Sequence, residues 1–209
     1  MVQRIFIIVL ASIMFVACTG LETDKISDEV RYKPNVSLPL GYMTLNYDSP
    51  VDLPVDLPDP IESEPISWVE QDTVTFDVEA SFVEREYIIS MLLQFDITNR
   101  YPAELDIEMF FVDDNGTNIY LTETPIKVEP AEIDGSGTVT REMHSNPYPV
   151  QIPLTDEQID LLMQSRDFVI RGSVNDLVIT SEIFDNFDTY DMFTAVGVQA
   201  QIDISINDK

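Results

Sequence analysis

Hydrophobic and polar residues alternate along most of this chain with a period of two. Met43, Leu45 and Tyr47 interleave with Tyr42, Thr44 and Asn46 in a first strand, and Val74, Phe76, Val78 and Ala80 interleave with Thr73, Thr75, Asp77 and Glu79 in another. Ile89, Met91, Leu93, Phe95 and Ile97 alternate with Ser90, Gln94, Asp96 and Thr98, Leu92 being the apolar exception. Leu105, Ile107, Met109 and Phe111 face away from Asp106 and Glu108, and Val196, Val198, Ala200, Ile202, Ile204 and Ile206 alternate with Gln199, Gln201, Asp203 and Ser205. Successive side chains of a strand point to opposite faces, so this pattern predicts antiparallel strands with one dry and one wet face.

Turn chemistry fits between these runs. Asp114-Asn115-Gly116 predicts a hairpin, because Asn-Gly accepts the positive φ of a type I′ turn, and Asp134-Gly-Ser-Gly137 is a second candidate. One helix interrupts the strands. Thr155-Asp-Glu-Gln158 has the spacing of a capping box, with Asp156 and Glu157 at the positive end of the helix dipole. Ile159, Leu162 and Met163 then form an apolar face, and a strand over 167–174 follows. Many short strands and one short helix near 156–164 predict an all-β protein, an antiparallel β-sandwich. Leu93 to Tyr120, "LQFDITNRYPAELDIEMFFVDDNGTNIY", resembles the strand, Asn/Pro corner, strand and hairpin of LEA14-like sandwiches, and also a recurrent arrangement in lipoproteins of Bacteroidota. The resemblance implies fold alone, so the expected sandwich is immunoglobulin-like or LEA14-like.

Between strands, Ser49 to Pro65 holds a tandem Val-Asp-Leu-Pro and five prolines from Pro50 to Pro65. Proline removes a backbone donor and fixes φ, which predicts an extended connection over 50–65, or a stiff docking segment for a partner groove.

The N-terminus has a different character. Met1-Val-Gln-Arg4 precedes an apolar run from Ile5 to Ala17, 13 residues long and broken only by Ser12. That is short of the roughly 20 residues a membrane-spanning helix needs. A basic start, a brief apolar core and a small residue before the break describe a signal peptide over 1–17. The only cysteine, Cys18, follows. It has no partner within the chain for a disulfide, and a buried thiol is at odds with its place at the boundary. Phe15-Val-Ala-Cys18 resembles the lipobox of bacterial lipoproteins, with Phe15 where the family prefers leucine; an ordinary secretory signal and an uncleaved anchor are the alternatives. The resemblance implies cleavage by signal peptidase II before Cys18, acylation of Cys18, and attachment to the membrane through N-terminal acyl chains. Each buried methylene contributes about 0.8 kcal/mol, so two or three chains anchor firmly. Thr19 after the cysteine, by resemblance to enterobacterial sorting, implies the outer membrane, on its periplasmic or cell-surface face. Residues 18–36 read as a tether and 37–209 as a single sandwich domain.

Composition narrows function. With 38 Asp+Glu against 11 Lys+Arg the formal charge is −27, and cleavage before Cys18 would remove only Arg4 from this balance. Such a chain is unsuited to phosphate backbones and to anionic lipid, so no nucleic acid partner is expected. At 44% hydrophobic and 10% aromatic residues it is globular rather than disordered.

Catalytic chemistry finds little material. His144 is the sole histidine, in a loop-like context, and reads as an exposed spectator. One histidine and one acylated cysteine cannot make a zinc site, and the seven glycines form no phosphate loop. A carboxylate pair of glycosidase type is not singled out among 38 acids. No catalytic residue, cofactor or metal is therefore assigned, and Cys18 is the one site residue. Asp185, Asp188 and Asp191, interleaved with Phe184, Phe187, Tyr190 and Phe193, are the oxygen cluster best suited to calcium or a sugar, or else an acidic loop packing its aromatics on the core. The expected function is a non-enzymatic outer-membrane lipoprotein acting as an interaction or assembly module with an envelope protein. A calcium- or glycan-binding surface lipoprotein, or an adhesin-like subunit, is the alternative.

Overall fold

The computed structural model describes residues 29–75, 84–113, 115–165 and 167–207. The signal peptide, Cys18, the first part of the tether, residues 76–80 of one expected strand, and Asp114 lie outside them. The chain divides into two units. In the smaller, β1 (Glu29–Tyr32), which falls within the expected tether, pairs antiparallel with β14 (Ile204–Asn207). The larger unit, Lys33–Asp203, is built of two antiparallel five-stranded sheets.

Sheet I contains β2 (Asn35–Asn46), β4 (Ile88–Asn99), β10 (Met143–His144), β11 (Val150–Pro153) and β13 (Asp191–Ile202). Sheet II contains β3 (Ile66–Thr75), β5 (Glu104–Val112), β6 (Asn118–Tyr120), β7 (Ile126–Val128) and β12 (Asp167–Leu177). A hairpin of β8 (Glu132–Ile133) and β9 (Val139–Arg141) stands apart. The expected all-β sandwich of antiparallel strands is what forms.

Its strand order is more specific than the sequence pattern. In sheet I, β13 lies between β2 and β4, and β10 and β11 both pair with the far edge of β4. In sheet II, β12 lies between β3 and β5, and β6 and β7 both pair with the far edge of β5. Counting each broken pair as one strand, the pairings nest: β2 with β13, β3 with β12, β4 with β10/β11, and β5 with β6/β7. Nested hairpins wrapped into two sheets are the connectivity of a jelly roll, whereas an immunoglobulin sandwich joins its strands in another order.

The dry faces meet as the alternation predicts. Leu93, Phe95 and Ile97 of β4 are fully buried, as are Leu105, Ile107 and Met109 of β5 and Phe168, Ile170 and Val174 of β12. Phe95 and Phe168 meet edge to face across the sheets, with centroids 6.0 Å apart. Each such side chain contributes about 1.5–3 kcal/mol on burial. Gly172 leaves room for Met192, whose sulfur would lie 3.1 Å from any added Cβ.

Local signals hold with adjustments. The helix α1 (Asp156–Ser165) starts with the expected capping box: Gln158 N–H donates to Thr155 Oγ1 (3.2 Å) and Thr155 N–H to Gln158 Oε1 (3.0 Å). Ile159 and Leu162 are buried. The hairpin at Asn115-Gly116 differs from type I′. Gly116 has φ +79°, while Asp176 is the one non-glycine with positive φ among the described residues. Gly116 N–H donates to the Asp113 carbonyl, and the Asp113 carboxylate accepts from the Asn115 and Thr117 N–H groups. A left-handed glycine thus closes this hairpin, the other common short form. Asp134, Ser136, Gly137 and Thr138 repeat it bond for bond, with φ +84° at Gly137. The long C-terminal alternation is two strands, broken at Asp203, whose N–H donates to the Tyr87 carbonyl and whose carboxylate pairs with Lys33. Two short 3-10 turns, Pro50–Asp52 and Ile61–Ser63, interrupt the proline-rich connection, so it bends rather than running extended.

Candidate functional site

Segment 180–193 follows from its caps. Thr180 Oγ1 accepts from the Ile183 N–H and starts α2 (Ser181–Asp185), and a 3-10 turn over Phe187–Thr189 leads into β13. The three-residue spacing of the aromatics then points Phe187 and Tyr190 inward. Both are buried against Tyr101, with centroids 6.1 and 6.2 Å from its ring, and Trp68 meets Tyr101 edge to face at 5.7 Å. Two of the four expected aromatics are therefore core. Phe184 is half-buried, and Phe193 turns outward.

The acids of this segment disperse. Asp185 and Asp188 are exposed on successive turns, whereas Asp191 is half-buried at the start of β13, 3.4 Å from an Arg100 nitrogen. Burial holds the Asp191 carboxyl above its usual range, with Arg100 acting the other way. Among the described residues no three His, Cys, Asp or Glu side chains gather as a cation site. The alternative, a calcium cluster at Asp185, Asp188 and Asp191, is thus not assembled, because a helix end, a 3-10 turn and a strand rotate the three carboxylates apart, and the acidic loop packing aromatics on the core is what forms.

The two segments singled out in the sequence do meet. A cavity of about 690 Å³ lies between the 3-10 turn at Ile61 and α2, lined by Asp59, Ile61, Glu62, Ile179, Phe184 and Asp185. Ser181 N–H donates to Glu62 Oε1 (3.1 Å) and ties its walls. His144 sits in β10, its Nδ1 3.2 Å from Thr98 Oγ1 and its ring 4.4 Å from that of Tyr148. Glu142 lies 3.7 Å from its other nitrogen, beyond hydrogen-bond reach, and Thr98 is buried. The three do not present an activated nucleophile.

The outer faces of the two sheets differ in chemistry. On sheet II, charges pair across strands: Lys127 with Glu104 (2.6 Å) and Asp106 (3.5 Å), and Arg171 with Glu108 (3.3 Å), its guanidinium also over the Phe110 ring. On sheet I, rings and amides predominate, with Asp96 beside them opposite Ala195 and accepting from Gln94 Nε2 at 3.4 Å. Tyr42, 73% exposed, and Phe193, 37% exposed, stack with centroids 6.1 Å apart. Beside them a row runs across four strands, Pro39, Gly197, Gln94 and Gln151, with Gln199 in the next row. These residues line a trough of about 350 Å³ whose lining contains no charged residue. Sequence reading passed over this face; its signal is Phe193, Ala195 and Gly197 occupying the wet phase of β13.

Among the described residues no helix is long and apolar enough to cross a membrane. No protein-family model matches the chain, and no curated protein does. Among solved structures, it is similar to a "putative secreted protein" from Parabacteroides distasonis, at 15% identity and a TM-score of 0.37, over 64% of this chain and 38% of that one. It is also similar to Desmodium yellow mottle tymovirus (10% identity, TM-score 0.25, 83% of this chain and 90% of that one). A third similarity is to the VP2 subviral particle of infectious bursal disease virus (8%, TM-score 0.28, 83% and 41%). At these TM-scores the likenesses carry no weight for function; the jelly roll rests on the chain's own pairings.

Proposed function

We propose that the chain is a non-enzymatic binding module of the bacterial envelope, held at the outer membrane by acyl chains on Cys18, and that it engages its partner through the outer face of sheet I. The observation that carries the binding role is the contrast between the two outer faces. Exposed stacked rings beside a trough lined without charge, in a chain of formal charge −27, mark this face as the one suited to a partner. Aromatic residues amid depleted charge are the composition of interface cores. The lipid anchor is supported by the resemblance of Phe15-Val-Ala-Cys18 to a lipobox.

Palmitate labelling tests the address. Cys18→Ser is expected to abolish labelling and release the chain into the soluble fraction; unchanged membrane retention would overturn it. Cross-linking in native membranes tests the binding role. Capture of a partner by the wild type, with loss in a Tyr42→Ala/Phe193→Ala variant, is the expected result. Capture that is indifferent to both rings rules out this face.

A further inference from the structure

We infer that the trough on the outer face of sheet I takes a neutral glycan, with the Tyr42–Phe193 pair as its stacking platform; this rests on the binding role just proposed and names the ligand class.

The first argument is Gly197. Glycine inside a long central strand is unfavourable by about 0.5–1 kcal/mol against alanine, so it needs a local reason. Two other strand glycines have one in packing: a Cβ on Gly41 would lie 3.0 Å from Val74 and one on Gly172 would lie 3.1 Å from Met192. At Gly197 a Cβ would meet only the Leu38 carbonyl oxygen at 3.5 Å, an ordinary contact, and φ is not positive; the β2–β13 register does shift between Val196 and Gly197, an irregularity that glycine eases without needing the space above it. What its missing side chain does leave is open space at the floor of the trough.

The second argument is the lining. Gln94 and Gln151 lie directly opposite each other on β4 and β11, Gln94 is next to Gly197, and Gln199 follows on β13. Each amide carries both donors and an acceptor, matching a sugar hydroxyl, which also does both; one Gln94 donor is already engaged by Asp96 Oδ1 at 3.4 Å, which leaves its oxygen and the amides of Gln151 and Gln199, all three residues lining the trough. The lining carries no charge although 23% of the chain is charged. An anionic polysaccharide would meet both a formal charge of −27 and no cation to pair with, which selects a neutral one.

The third argument is shape. A trough of about 350 Å³ falls at the lower end of small-ligand sites, roughly 300–1,000 Å³, and is far smaller than a protein interface. Tyr42 lies opposite Ala195, one row from Gly197, and presents most of its surface to solvent. The apolar face of a pyranose laid on that ring would have its hydroxyl edge toward the glutamines.

The test is titration calorimetry on the full-length chain, solubilised in a detergent without a sugar headgroup. The probes are cellohexaose, maltohexaose, xylohexaose and mannohexaose, with hexagalacturonate as the acidic counterpart. At least one neutral hexasaccharide is expected to bind and hexagalacturonate is not. Gly197→Leu, which fills the floor, is expected to weaken binding by about tenfold or more, as is Tyr42→Ala. Gln151→Ala, at an exposed position, is the variant to read if Gly197→Leu fails to fold. Silence from all four neutral sugars, or binding that ignores Tyr42→Ala and Gln151→Ala, overturns the inference. Silence together with a cross-linked protein partner that depends on Tyr42 leaves the binding role standing and removes the glycan. Silence with no partner removes both.

Discussion

The Tyr190 hydroxyl donates to the carbonyl of Gly137 at 2.5 Å, joining the buried aromatic cluster to the tip of the β8–β9 hairpin. Asn186 reinforces the joint, donating to the carbonyls of Ser136 (2.8 Å) and Glu182 (2.9 Å). The tip fits closely, since a Cβ on Gly137 would lie 2.4 Å from the Glu182 carbonyl oxygen.

Tyr190→Phe removes that hydrogen bond and keeps the ring, so a loss of about 1–2 kcal/mol is expected in urea unfolding. Gly137→Ala should lose more, about 3 kcal/mol, from positive φ and collision together. Gly116→Ala, in the same turn geometry but with nothing within 4 Å, should lose only about 1 kcal/mol. Equal losses at the two glycines would show that the hairpin tip is not docked.

Asn99 is fully buried at the β4–β5 corner. Its amide donates to the carbonyls of Ala103 and Glu129, both at 2.8 Å, and its oxygen accepts from the Tyr101 N–H at 2.8 Å. Asn99→Ala orphans all three groups and should destabilise by about 3 kcal/mol or more, read as a lowered unfolding midpoint. Asn99→Asp keeps the acceptor but loses both donations and buries a charge, so it should be no better.

The carboxylates of Asp113 and Asp134 are held below the ordinary value of 3.8, Asp113 chiefly by the Thr117 N–H and Asp134 chiefly by Ser136. A depressed folded value means stability that is complete above 3.8 and lost as pH falls through the folded value. Replacing both by Asn keeps an acceptor and removes the charge. The difference between wild type and this variant should therefore be constant at neutral pH and shrink as pH falls below 3.8 in denaturant titrations. A difference that persists in acid would point to something other than charge.

Thr155→Ala opens the capping box of α1 and should lose about 1 kcal/mol. Thr155→Ser keeps the hydroxyl and should lose only a fraction of that. Circular dichroism melts of the two variants make the comparison.

The sequence pattern made the sandwich legible because period two assigns each residue to a face without reference to any neighbour. Leu93, Phe95 and Ile97 were readable as core for this reason, and Thr155 to Gln158 as a cap because the bonds span three residues. Strand order was not readable: β13 pairs with β2 and β4, far away in the chain, and alternation does not name a partner. The spacing of Asp185, Asp188 and Asp191 left an acidic loop and a calcium site both open, because backbone geometry changes twice between them and spacing alone does not show it. The pairing of Tyr42 with Phe193 was not readable, because each is a single apolar residue in a wet phase of a separate strand. Only the β2–β13 register, which sets Tyr42 opposite Ala195 and Phe193 opposite Thr44, makes them a surface.

The nested pairing also dictates a sequence of events. The innermost hairpin, β5 with β6 and β7, closes over a short loop, whereas β2 must wait for β13, which follows every other strand of the two five-stranded sheets and then takes its place between β2 and β4. Loop closure of that span is slow relative to local turns. A ribosome that has delivered everything up to Tyr190 has delivered β2 on one side and β4 with β10 and β11 on the other, and not the strand that joins them. Until Ile202 is free, β2 and β4 have no common neighbour, so the sandwich commits only once β13 has been delivered.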